Sequence, residues 1–126
     1  MTVLLDELAT VTVDNHRLPM PSDPRLQTLV TLLTANPADA ADVKTWAKRV
    51  GLAERTLNRL LANETGLSFT RWRQQLHVIL AIQHMARGAS VQQVASDLGY
   101  ENASSFVTMF RKVLGTSPAK YMATRR

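Results

Sequence analysis

The stretch Val43–Gly66, VKTWAKRVGLAERTLNRLLANETG, decides how the rest of the chain is read. Val43, Trp46, Ala47 and Val50 fall at helical spacing, and Gly51 follows where a chain reversing direction uses a left-handed residue. A second helical pattern starts just beyond. At about 100° per residue with Arg55 at zero, Asn58 and Arg59 lie within about 60° of it, whereas Leu57, Leu60 and Leu61 lie near the opposite side. The pair reads as a helix-turn-helix whose second helix packs on one face and reaches outward on the other.

Two arginines flanking an amide suit the DNA major groove. Arg55 and Arg59 can pair bidentately with guanine O6 and N7, and Asn58 with adenine N6 and N7. Thr56 beside them is a candidate phosphate contact. The competing reading is a solvated face on a structural hairpin, because helix-turn-helix geometry also occurs without any DNA.

Repetition favours the DNA reading. A shift of 48 residues lays Val91, Ala95 and Gly99 on Val43, Ala47 and Gly51; a shift of 49 lays Gly115, Ser117 and Tyr121 on Gly66, Ser68 and Trp72. The second copy therefore has one extra residue in its turn. In it VQQVASDLGY supplies the first helix and NASSFVTMFRKVLG the second. Phe106, Met109, Phe110 and Val113 gather on one side of that second helix. Ser104, Ser105, Thr108, Arg111 and Lys112 gather on the other. The short hydroxyls of Ser104, Ser105 and Thr108 are candidate base contacts of lower discrimination, and Asn102, Arg111 and Lys112 are candidate phosphate contacts.

These residues resemble the DNA-binding domain of AraC/XylS-type transcription regulators. LAERTLNRLLANETGLSF carries the likeness in the first copy and VASDLGYENASSFVTMFRKVLGTSPAKY in the second, so that it spans about Asp23 to Arg126. It implies an all-α fold of about seven helices, two helix-turn-helix subdomains joined by a long connecting helix. It also implies a regulator of transcription, usually an activator contacting RNA polymerase, with repression or autoregulation as the alternative action and double-stranded DNA as its first partner. In such regulators an effector-binding or dimerising domain precedes the DNA-binding part. Residues 1–22, with the proline-interrupted HRLPMPSDP, are therefore expected to be a linker or a sensor-domain remnant, centred on Thr2 to Leu18. The alternative is a naturally short regulator starting at Met1. The fragment is expected to be monomeric, with any dimer made by the sensor domain.

The expected subdomains are 23–67 and 88–126, with the connecting helix over 68–87. Asp23 and Pro24 make a good helix start, followed by the stripe Leu26, Leu29, Val30 and Leu33 and a stop at Asn36–Pro37. The acidic run Asp39–Asp42 complements the start of the next helix. Relatives commonly carry serine where this chain has Ala53, so one cap is expected to be missing. Ser68 caps the connecting helix, whose apolar residues cover too wide an arc for one stripe: Phe69, Trp72, Leu76, Ile79 and Leu80 on one side, Val78, Ile82 and Met85 beside them. Arg71 and Arg73 near its start are candidate phosphate contacts. Ser90 and Gln93 read as a capping box, and Ser117 with Pro118 as a last helix start. The resulting expectation is two recognition helices in successive major-groove faces about 34 Å apart. A shorter separation would make the DNA bend, at about 1–6 kcal/mol.

Composition agrees. With 126 residues, 45% of them hydrophobic, the chain can bury a core. Fifteen Lys and Arg against ten Asp and Glu give +5, a sign that favours polyanions. Cysteine is absent, which removes disulfides, thiolate metal sites and cysteine nucleophiles. No apolar run approaches the length of a membrane span and no signal peptide is legible, so a cytoplasmic protein is expected. His77 and His84 are seven apart on one helix, too far for a metal pair, and neither a metal nor a cofactor is expected. A helical protein-interaction module is the second reading; an enzyme is remote.

Overall fold

The computed structural model describes residues 12–13 and 16–124. Most of the expected sensor remnant, and the basic ends Arg125 and Arg126, lie outside the described residues. The TVTV segment contributes β1 (Thr12–Val13), which pairs antiparallel with β2 (His16–Arg17) in the register Thr12 with Arg17 and Val13 with His16. Everything else regular among the described residues is helix. The seven are α1 (Pro24–Ala35), α2 (Val43–Arg49), α3 (Glu54–Thr65), α4 (Phe69–Ala86), α5 (Val91–Asp97), α6 (Ala103–Leu114) and α7 (Pro118–Thr124).

Local chemistry sets most of these boundaries. Asp23 accepts the Arg25 N–H at 2.8 Å, Asp42 the Thr45 N–H at 2.9 Å, and Asn102 the Ser105 N–H at 2.8 Å. Each satisfies one of the donors that a helix start leaves open. Ser68, Ser90 and Ser117 do the same for Arg71, Gln93 and Lys120. The capping box at Ser90 is only half made. The Gln93 amide does not turn back to the cap but donates to Asp97 Oδ1 at 2.8 Å, one helical turn onward.

By contact the chain divides into two compact units. One comprises the described residues up to Asn36 together with Ala41–Arg73; the other comprises Pro37–Ala40 and the described residues from Gln74 onward. The boundary falls inside α4, whose first five residues belong to the first unit. The first core is built from Leu26, Leu29, Val30 and Leu33 of α1, Trp46 and Ala47 of α2, Leu57 and Leu61 of α3, and Phe69 and Trp72. Leu18 joins it, and the Trp72 indole N–H donates to the Pro19 carbonyl oxygen at 2.7 Å, so the segment before α1 is part of this unit.

The second core has a different character. From Leu76 to Ile82 every residue of α4 is buried, which accounts for an apolar arc too wide for one stripe. Around it runs a chain of rings. His77 meets Tyr100 edge-on at 5.4 Å between centroids, Tyr100 meets Phe106 at 5.7 Å, Phe106 meets Phe110 at 5.8 Å, and Phe110 meets Tyr121 at 5.9 Å. Such pairs contribute about 0.5–1.5 kcal/mol each beyond their burial. His77 is thereby a core residue, with its Nδ1 2.8 Å from the Tyr100 hydroxyl. His84 has a carboxylate near it that its sequence neighbours did not suggest, Asp97 Oδ2 at 3.9 Å.

The two copies repeat in detail. α2 and α5 have seven residues each, α3 and α6 twelve each. Both turns close alike, with Leu52 N–H on Ala47 O and Tyr100 N–H on Ala95 O, each at 2.9 Å. Gly51 and Gly99 hold φ at 76° and 81°. Only the second is crowded: a Cβ on Gly99 would stand 2.3 Å from the Ala38 carbonyl oxygen, whereas one on Gly51 would meet nothing within 4 Å.

Candidate nucleic-acid interface

In each unit the second helix of the pair turns one side to the core and the other outward. Leu57 and Leu61 of α3 are fully buried, and Phe106, Met109 and Phe110 of α6 are buried likewise. Arg55 and Arg59, one turn apart on α3, are exposed and make no hydrogen bond or ion pair among the described residues. On α6, Ser104, Ser105, Thr108, Arg111 and Lys112 are all exposed. Thr56 is half-buried, and Asn102 is exposed with its carbonyl oxygen used in the cap.

Two residues assigned to DNA from sequence are placed otherwise. Asn58 is half-buried, and its Oδ1 accepts the Phe69 N–H at 2.9 Å, eleven residues on. That oxygen is one of the two groups a bidentate pair with adenine requires. Arg73 is half-buried as well. Its Nη1 donates to the Ala41 carbonyl oxygen at 2.7 Å and its guanidinium lies 4.8 Å from the Phe69 ring centroid. The fork is turned into the first unit, whereas Arg71 on the same turn stays exposed. The helical wheel gives direction but not reach, and these two side chains lie at the margin of their faces.

Charge also sits where sequence reasoning did not look. Lys44 and Lys48, one turn apart on α2 and on the side away from the buried Trp46, are exposed, and Lys44 is near enough to Asp42 to help hold that carboxyl below its ordinary pKa. Their signal was an i, i+4 basic pair on the polar side of the first helix. Their counterparts in the second copy are Gln92 and Ser96, so the first unit is the more basic at this position.

The ends of α3 are held unequally. Ala53 offers no side-chain cap. Ala53→Ser is expected to stabilise the chain by about 0.5–1 kcal/mol in urea unfolding; no gain would mean that the helix start is already satisfied. At the other end, one carboxylate oxygen of Glu64 accepts the N–H groups of Ser22 at 2.7 Å and Asp23 at 3.1 Å, together with the Ser22 hydroxyl. The Ser22 hydroxyl and N–H are the main causes that hold the Glu64 carboxyl below its ordinary pKa. A carboxylate depressed on folding contributes stability above its unfolded pKa and loses it as pH falls through the folded one. Glu64→Gln should therefore flatten the acid limb of the stability curve below about pH 4. Identical acid limbs in the two proteins would show that the clamp does not form in solution.

No helix of the described residues is long and apolar enough to cross a membrane, and among them no three His, Cys, Asp or Glu residues group to hold a metal. Two helix-turn-helix units in one chain, each with a polar outer face on its second helix, define the class. A helix-turn-helix domain family matches residues 46–124. The transcriptional regulator NimR of Escherichia coli is 42% identical over 96% of this chain, which spans 44% of that relative's length. Among solved structures, the DNA-binding domain of AdpA in complex with a target DNA superposes with a TM-score of 0.70 at 31% identity, covering 83% of this chain and 95% of that one. An AraC-type regulator from Chromobacterium violaceum superposes at 0.71 with 24% identity, covering 81% and 92%. The chain belongs to the AraC-type family of helix-turn-helix DNA-binding domains.

Proposed function

We propose that this chain is the DNA-reading part of a transcription regulator and binds double-stranded DNA sequence-specifically, placing α3 and α6 in successive major-groove segments. One observation carries the reading. Arg55 and Arg59 stand exposed and uncommitted on a helix whose other side is core, the arrangement that presents two guanine-reading forks at a major groove. The family supports it, since AdpA's related domain has been solved on a target DNA and NimR is a transcriptional regulator.

Within the proposal Arg55 and Arg59 specify bases, Ser104, Ser105 and Thr108 make less discriminating contacts, and Thr56, Arg71, Asn102, Arg111 and Lys112 hold phosphates. Lys44 and Lys48 join the phosphate set. RNA polymerase is the protein partner and activation the sense of regulation that the family resemblance implies. Selection from random duplexes at several salt concentrations tests the core claim. A recovered motif with guanines at the first half-site, and a log affinity falling linearly with log salt, is the expected result. Recovery of no motif, with equal affinity for all duplexes, would overturn sequence-specific reading.

A further inference from the structure

The helix that follows each recognition helix starts with the same serine cap in both copies, but the first helical residue differs in its backbone hydrogen bonding. In the first unit Ser68 caps α4, Arg71 N–H reaches the Ser68 hydroxyl, and Trp72 N–H reaches the Ser68 carbonyl. In the second unit Ser117 caps α7, Lys120 N–H reaches the Ser117 hydroxyl, and Tyr121 N–H reaches the Ser117 carbonyl. The residue between cap and first turn differs. It is Phe69 in one copy and Pro118 in the other. Phe69 has an N–H that no residue of its own helix can accept, and Asn58 accepts it; Pro118 has no N–H, and the position equivalent to Asn58 is Val107. Amide and donor occur together, and valine and proline occur together.

We propose that Asn58 is a positioning residue rather than a base reader: it pins the middle of α3 to the first residue of α4 and so fixes the rotation at which Arg55 and Arg59 are presented. A half-buried amide bonded across eleven residues resists rolling of α3 about its axis, and a roll of that kind displaces both guanidinium forks together. In the second copy the same junction needs no polar tie, because proline removes the donor and presets the backbone. The assignment rests on the DNA-reading function proposed above. It adds that the first half-site is specified by the two arginines without an adenine contact from α3.

The test separates the two claims. Asn58→Val and Asn58→Asp are compared with the wild type by amide hydrogen exchange at Phe69 and by selection from random duplexes. The valine variant should exchange Phe69 faster and bind the selected duplex about three- to tenfold more weakly, with preference lowered together at the base pairs read by Arg55 and Arg59 and not at one alone. The aspartate variant keeps an acceptor but has no N–H to pair with adenine. It should keep Phe69 protected and keep the wild-type base preferences. Loss of preference at a single base pair in either variant overturns the assignment, as does unchanged exchange at Phe69 in the valine variant. A wild-type chain that selects no sequence would defeat the DNA reading, while the exchange result would still decide whether Asn58 holds α4.

Discussion

Gly99→Ala should be the most damaging single change outside the large side chains, lowering stability by about 2–5 kcal/mol. Two costs add. A left-handed φ of 81° strains any residue with a Cβ, by about 1–2 kcal/mol. The Cβ would also sit 2.3 Å from the Ala38 carbonyl oxygen and 2.9 Å from its carbon, which are backbone atoms that cannot swing aside. Gly51 supplies the control, with φ at 76° and nothing within 4 Å. Gly51→Ala should show the strain alone. Asparagine tolerates the left-handed region better than alanine, so Gly51→Asn should be nearly neutral while Gly99→Asn stays severe. Urea unfolding of the four variants measures this, and equal losses at the two glycines would rule out the close approach of the Ala38 backbone.

Arg59→Ala should weaken binding to the selected duplex by about 1–3 kcal/mol and relax preference at one base pair. The side chain is exposed, four residues from Arg55 on the same face, and has no partner among the described residues whose loss would disturb the fold. Lys112→Ala, by contrast, should lower affinity for specific and scrambled duplexes alike and reduce the salt slope by about one. Lys112 lies in the last turn of α6, beyond the hydroxyls of Ser104, Ser105 and Thr108. Uniform loss in both variants would remove the division between reading and anchoring residues.

Much of this was legible because the chain states its pattern twice. The glycines at 51 and 99, the serine caps at 68 and 117 and the segregated faces of α3 and α6 are local features, set by backbone sterics, unpaired N–H groups and helical periodicity. The missing cap at Ala53 was expected instead from the family resemblance, whose members commonly carry serine there. What sequence could not show were bonds that span the chain. Asn58 with Phe69, Arg73 with Ala41, Glu64 with Ser22 and Gly99 with Ala38 depend on where separate segments meet. For Asn58 and Arg73 those bonds turn side chains of DNA-binding type toward their own unit. A hint existed for Asn58: the valine and proline that replace the amide and the phenylalanine in the second copy.

The placement of the two indoles gives the molecule a built-in label. Trp46 and Trp72 are both buried in the first unit, while the second unit contains tyrosine but no tryptophan. Fluorescence excited at the red edge therefore follows melting of the first unit alone, whereas far-ultraviolet dichroism follows every helix. Superimposable curves from the two signals would mean that the halves unfold as one cooperative body, and displaced curves would order them by strength.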